Sequence, residues 1–317
     1  MQTRVSVIGA GNVGSSLAYL MIQAELADVV LFDIAEGVPQ GKALDISEAG
    51  PLWISSASIL GTNNFEDTAE SDIIVVTAGL ARKPDMSRDD LLLANARIVA
   101  DIVERTAALS PNAIFIIVTN PVDVMAQLSL QVSGFKKNRV IGMGGILDSA
   151  RFRTFVAWEA GVSPRDVEAL VLGGHGDGMV LMPRFTTVKG VSVTEMFTPE
   201  RVEQLVQRTK QGGAEIVALL KSGSAYYAPA AAIFHMIKSI VIDEKRLLPC
   251  SAYLTGEYGV TDVYNGVPVI LGRNGVMKII EFKLNDPEKA AFAKSAEAVK
   301  SMYAKLSDFK KGLPGTG

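Results

Sequence analysis

The sequence predicts an α/β protein: a doubly wound parallel sheet in the first half, then a half of mixed α+β texture. Two observations predict it. Short apolar runs rich in Val and Ile alternate with segments of helical period as far as Gly145. That alternation marks a sheet buried on both faces by its own crossover helices. After Gly145 the alternation stops, and hairpin, helix and strand patterns mix.

Strands are expected at residues 4–9, 28–33, 72–77 and 113–118, with a shorter one at 139–142. Helices are expected at 12–25, 40–48, 89–109 and 121–132. Glycines at 142, 144 and 145 mark the expected end of this unit, dividing the chain into domains 1–145 and 146–317. Leu147 to Gly161 then reads as a helix, Val167 to Leu172 as a strand, and Thr186 to Val193 as a hairpin centred on Gly190. Thr198 can cap a helix whose first position suits Pro199, and helical pattern continues with breaks to about Ile242. Strands at 248–254 and 266–272 precede a last helix from Asp286 to about Leu306. The tail from Lys310 to Gly317, rich in Gly, Pro and Lys, is expected to be poorly ordered.

Composition narrows the function classes. The chain has 317 residues, room for two ordinary domains. Lys and Arg number 31 and Asp and Glu 34, a net charge of −3. That balance carries no electrostatic footprint for nucleic acid or an anionic membrane. The first residues enter a strand at once and do not read as a signal peptide. The longest apolar candidate, Ala228 to Ile242, is interrupted by Pro229, His235 and Lys238, so no membrane span is expected. Cys250 is the sole cysteine, which leaves no intrachain disulfide or cysteine-rich metal site and fits a reducing cytoplasm.

The first motif is Gly9-Ala10-Gly11-Asn12-Val13-Gly14, a G-x-G-x-x-G between an apolar strand and an apolar-faced helix. The next strand closes on Asp33. This is the context of a Rossmann-type dinucleotide site. Gly9 permits the tight turn, Gly11 leaves room for a pyrophosphate, and Gly14 lets helix and strand approach. The helix N-terminus favours the phosphates. Asp33 can accept from both ribose hydroxyls and repels a 2′-phosphate, which favours NAD over NADP.

Ligands of such a sheet lie beyond the carboxyl ends of its strands. After the 72–77 strand comes a polar loop holding Arg82, Lys83, Pro84, Asp85 and Arg88. It reads either as a solvated loop or as a lid whose arginines reach an anionic substrate. After the 113–118 strand, Asn120 reads either as a ligand-bonding amide or as part of a proline turn. Asp148 and Arg151 would be i,i+3 neighbours on a helix amid apolar residues. They form either a surface ion pair or a partly buried carboxylate clamp. Of the two histidines, His235 reads as core packing. His175 lies among four glycines that cannot cover it, and an imidazole titrates near neutrality. Beside an NAD site, an acid–base histidine implies interconversion of an alcohol and a carbonyl.

Gly9–Gly14 with Asp33, Val118-Thr119-Asn120-Pro121, Leu147-Asp148-Ser149-Ala150-Arg151 and Gly174-His175-Gly176-Asp177 together resemble the lactate/malate dehydrogenase family. The match runs in order over nearly the whole chain. The loop Ala81-Arg82-Lys83-Pro84-Asp85-Met86-Ser87-Arg88 resembles the malate branch, in its bacterial, lactate-dehydrogenase-like type. The resemblance implies that His175 is the acid–base and that Asp148 holds its far ring nitrogen. Arg151 would clamp the C1 carboxylate, Arg88 polarise the reacting oxygen, Asn120 bond that oxygen or the substrate, and Arg82 face the second carboxylate. An arginine there rejects a monocarboxylate, because its charge stays unpaired. Asn95 and Val118 match cofactor-lining positions. Asp85 departs from the glycine common in that branch. The resemblance further implies oxidation of (S)-malate to oxaloacetate and a homo-oligomer, with a tetramer favoured over a dimer. A lactate or other 2-hydroxy-acid dehydrogenase, or a non-enzymatic NAD sensor, are the alternatives.

Overall fold

The computed structural model describes residues 3–80, 87–306 and 309. Arg82, Lys83, Pro84 and Asp85 of the polar loop and the tail from Lys310 lie outside the described residues. In the first half the strands are β1 (Arg4–Ile8), β2 (Asp28–Phe32), β3 (Ile59–Thr62), β4 (Ile73–Val76), β5 (Ile114–Ile117) and β6 (Val140–Gly142). The helices between them are α1 (Asn12–Gln23), α2 (Val38–Ala49), α3 (Arg88–Leu109) and α4 (Val122–Ser133). The six strands pair in parallel in the order β3-β2-β1-β4-β5-β6. That order is the doubly wound arrangement, with its reversal between β1 and β4. Both β4 and β5 are buried along their whole length, which explains their unbroken apolar runs.

The second half holds α5 (Gly145–Ala160), the short strands β7 (Val167–Glu168), β8 (Val171–Gly173), β9 (Met179–Leu181), β10 (Thr187–Val188) and β11 (Val191–Ser192), and helices α6 (Val193–Met196), α7 (Pro199–Leu220) and α8 (Tyr227–Val241). Long strands β12 (Arg246–Thr255) and β13 (Thr261–Gly272), then β14 (Gly275–Ile279), precede α9 (Asp286–Ala304). The expected 167–172 strand is two strands. β7 joins a three-stranded sheet with β10 and β11, and β8 forms a hairpin with β9. Edge strands β3 and β14 were not expected; each is half exposed, so neither carries a continuous apolar run.

β12 lies antiparallel to β6 through Ser251 and Gly142. The sheet therefore continues into β12, β13 and β14 to make nine strands. A Cβ on Gly142 would stand 2.7 Å from that of Ser251. A glycine that reads in the sequence as an end marker is thus demanded by close contact between the halves.

His235 is a correction. It is exposed on α8, whose buried face is Ile233, Met236, Ile237 and Ile240. Helical period turns position 235 away from that face. Cys250 is fully buried, and burial pushes its thiol pKa up to about 12, so it carries no thiolate chemistry. Among the described residues no helix is long and apolar enough to cross a membrane, and no His, Cys, Asp and Glu cluster suits a metal ion.

Candidate active site

The glycine turn is built by contact. Gly9 has φ +117°, and a Cβ on it would lie 2.6 Å from Thr77 Oγ1 at the end of the β4 run. A Cβ on Gly14 would lie 1.9 Å from the Gly9 carbonyl oxygen, so α1 closes on the turn only with glycine there. Gly11, the residue before α1, faces open space: a Cβ there would meet nothing within 4 Å. Asp33 Oδ2 accepts the Ala10 N–H at 2.7 Å, and Oδ1 accepts that of Ala35 at 3.0 Å. The carboxylate thereby ties the end of β2 to the turn and keeps lone pairs for a ligand. Lys42 of α2 closes the other side, donating to the Ala10 carbonyl at 2.6 Å. An open helix N-terminus, a glycine-cleared approach and an anchored acid fit a dinucleotide.

A cavity of about 580 Å³ opens beyond the strand ends. Val13, Val118, Asn120, Asn95, Arg151, His175 and Lys210 all line it. His175 occupies the tight β8–β9 turn, which Gly173 (φ +82°) and Gly176 (φ +93°) permit. Its Nδ1 lies 2.8 Å from Asp148 Oδ2 on α5, which leaves Nε2 as the ring nitrogen free for a ligand. The side chain of Asp148 is 1% exposed and that of His175 15%. Arg151, one helical turn further on, places Nη1 3.4 Å from Asp148 Oδ1.

The electrostatics follow from this packing. Burial opposes a charge on His175, but the charge and hydrogen bond of Asp148, aided by the charge of Asp123, outweigh it. The imidazole pKa is raised above its ordinary value. Burial lowers the pKa of Arg151 while Asp148 opposes the shift; a guanidinium remains charged all the same. Arg151 Nε is buried and has no hydrogen-bond partner among the described residues. A partly buried guanidinium with an unpartnered Nε, lining a cavity, suits a planar anion such as a carboxylate.

The remaining expected residues are placed differently. Asn95 is 2% exposed and spends its amide internally. Its Oδ1 accepts the Leu80 N–H at 2.7 Å, and its Nδ2 donates to the Asn120 carbonyl at 2.8 Å. It therefore clamps the entry of the polar loop to the Asn120 turn. Asn120 sits at that turn, before a cis proline bond to Pro121. Arg88 does not line the cavity; it stands at the rim, 3.6 Å from Asp177, with both side chains solvated. The cap of α3 fixes this position, since Ser87 Oγ accepts the Asp90 N–H and Asp90 answers to the Ser87 N–H. Arg82 lies outside the described residues.

Some residues here escaped the sequence reading. Asp123 of α4 accepts the His175 backbone N–H at 2.9 Å, and Ser295 of α9 accepts that of Gly174 at 2.8 Å. Lys210 adds a cation from α7, and Gly212 and Gly213 give Arg151 its space. Only Asp123 carried a local signal, an acid three residues beyond Asn120.

Comparison with known proteins covers both halves. A family model described as lactate/malate dehydrogenase, NAD binding domain, matches residues 3–142. One described as lactate/malate dehydrogenase, alpha/beta C-terminal domain, matches 146–310. The chain is 56% identical over 306 residues to a malate dehydrogenase of Roseiflexus sp. (strain RS-1), covering 96% of this chain and 99% of the relative. A solved malate dehydrogenase from Salinibacter ruber is similar at TM-score 0.93 and 46% identity, over 98% of this chain and 99% of that one. A Cryptosporidium parvum lactate dehydrogenase, complexed with lactic acid and nicotinamide adenine dinucleotide, is similar at TM-score 0.94 and 42% identity, over 97% and 99%.

Proposed function

Since this chain belongs to the lactate/malate dehydrogenase family, we infer that it catalyses the reversible, NAD-dependent oxidation of (S)-malate to oxaloacetate. The observation that carries the reading is one cavity lined by Val13 of the glycine turn, by the His175 ring held on Asp148, and by the partly buried Arg151 guanidinium.

In malate oxidation, neutral His175 accepts the hydroxyl proton at Nε2, while Asp148 holds Nδ1–H and stabilises the imidazolium that forms. The acceptor for the C2 hydride would be supplied by NAD held at the glycine turn. Arg151 pairs with the C1 carboxylate in two parallel hydrogen bonds, which fixes C2 and its hydroxyl against the imidazole. Asn120 donates from its side chain to the reacting oxygen. Arg88 joins that oxygen by exchanging Asp177 for the substrate, and Arg82 meets the second carboxylate. Asp33 would hold the adenosine ribose; Gly9, Gly11, Asn12, Val13 and Gly14 would receive the pyrophosphate; Asn95 and Val118 would complete the cofactor side.

The division into domains 1–145 and 146–317 belongs to this reading, with His175 and Arg151 supplied to the cavity by the second. So do a homotetramer and a cytoplasmic location, the latter suited to an enzyme drawing on a common pool of NAD. The deciding assay is NADH oxidation with oxaloacetate against pyruvate. Oxaloacetate should be preferred by at least about 10²-fold in kcat/KM, the scale expected when an unsuited substrate leaves a charge unpaired. Arg82→Gln should shrink that ratio. Equal turnover of pyruvate by the unaltered protein overturns the dicarboxylate assignment.

A further inference from the structure

Asp123 is an acid with an unusual address. It stands in the first turn of α4, is 4% exposed, and does not line the cavity. Both of its oxygens accept hydrogen bonds from other parts of the chain. Oδ2 takes the backbone N–H of His175 at 2.9 Å, and Oδ1 takes the hydroxyl of Ser251 on β12 at 2.6 Å. The approach is cleared by a missing side chain: a Cβ on Gly174 would lie 3.3 Å from Asp123 Oδ2 and 3.1 Å from Val299 Cγ2 of α9. The ordinary explanation of a buried carboxylate is an ion pair, yet no Lys or Arg pairs with Asp123 among the described residues. The nearest cationic partner available to it is His175 itself, once protonated.

We propose that Asp123 is a positioning residue for the acid–base step: it fixes the His175 backbone from behind and supplies a second negative charge that supports the imidazolium. The proposal rests on His175 being the proton carrier. Two carboxylates then hold the histidine from two sides, Asp148 at the ring and Asp123 at the backbone. Burial raises the Asp123 pKa above the usual carboxylate range, with the charge of Asp148 adding to the rise, although the Ser251 hydroxyl, the His175 N–H and the His175 charge pull against it. The other charges facing His175 are Asp148 and Arg151 of α5, with Asp177 on its own turn, Arg88 of α3 paired to Asp177, and Lys210 of α7 across the cavity. Among the described residues, β12, β13 and α9 contribute neutral Ser251, Asn265 and Ser295 to this region.

Asp123→Asn separates charge from position, because an amide keeps an acceptor oxygen and loses the charge. Removing a negative charge that favours the imidazolium lowers the His175 pKa. Malate oxidation needs the neutral ring, so the acidic limb of its kcat/KM profile should move to lower pH. Oxaloacetate reduction needs the protonated ring, so its basic limb should also move to lower pH. The expected displacement of both is roughly half a pH unit or more. Asp123→Ala also removes both acceptors and should lower kcat by at least about tenfold. NADH affinity, read by fluorescence, should hold in both variants and shows that they fold. Asn profiles that overlie the parent's overturn the proposal. Loss of oxaloacetate turnover in the parent protein, or full turnover in His175→Asn, would instead overturn the function it rests on.

Discussion

His175 works between opposed influences. Burial of an imidazolium costs free energy, and a carboxylate in hydrogen-bond contact returns it. Here the carboxylates win, so the group is poised above the ordinary imidazole pKa of about 6.5. The sign of the pH dependence follows. Oxaloacetate should bind the NADH-loaded enzyme through protonated His175, with affinity level below the raised pKa and falling about tenfold per pH unit above it. Malate should bind the NAD-loaded enzyme in the opposite sense, weakening as pH falls through the pKa. Binding constants measured by fluorescence titration between pH 5 and 9 check both directions; flat curves would remove His175 from substrate recognition. His175→Asn should keep NADH binding and lose at least about 10²-fold in kcat, the low end for acid–base catalysis.

Among elements, the contact of α5 with α7 sets the position of Arg151. The guanidinium stem lies against Gly212, where an added Cβ would come within 3.2 Å of Arg151 Cδ. In mid-helix a glycine weakens α7 by about 1 kcal/mol relative to alanine. Gly212→Ala therefore sets two effects against each other. The helix gains propensity, while the arginine must move a few tenths of an ångström. A long side chain yields more readily than a backbone, so stability should hold or rise. A displaced clamp should raise KM for oxaloacetate several-fold and leave NADH affinity alone. Thermal unfolding with steady-state kinetics reads both, and an unchanged KM would mean that the clamp tolerates the methyl group. The same logic explains Asn95, which anchors the polar loop at Leu80, while the Ser87–Asp90 capping box anchors it where α3 begins.

At the scale of the molecule, some of the apolar side chains left outside the core lie on or next to α2 and α8. Leu44 of α2 is 61% exposed, Tyr227 of α8 is 73% exposed, and Ile54, beyond α2, is 89% exposed. Tyr19, Lys42, Asp45, Ile46 and Tyr227 line a groove of about 680 Å³ between α1, α2 and α8. Burying such a surface against another copy gains about 25 cal/mol per Å² of apolar area. The proposed homotetramer predicts that light scattering in solution returns four times the chain mass. Leu44→Glu should yield smaller species if this surface is one of the contacts. A monodisperse monomer of the unaltered protein would refute the tetramer.

Local order was legible before folding. The parallel strands of the first half other than β3, and the helix cap at Thr198 with Pro199, follow from short-range period and turn chemistry. The two histidines were only half legible: the glycines around His175 allow its tight turn, while the exposed position of His235 on α8 depends on which face of that helix is buried. The half-exposed edge strands β3 and β14 were not legible, because partial burial breaks the apolar run that signals a strand. The split at 167–172 was hidden too, since each piece takes its partner from a different sheet. Tertiary structure alone decided what stands behind His175. Asp123 reaches it across 52 residues of chain, Ser251 reaches Asp123 across 128, and Ser295 reaches Gly174 across 121. Local period carries no information about such pairs; they exist because β12 docks beside β6 and α9 packs over the β8–β9 turn. The sequence determined the chemistry available, and the packing of distant segments decided which groups hold the histidine in place.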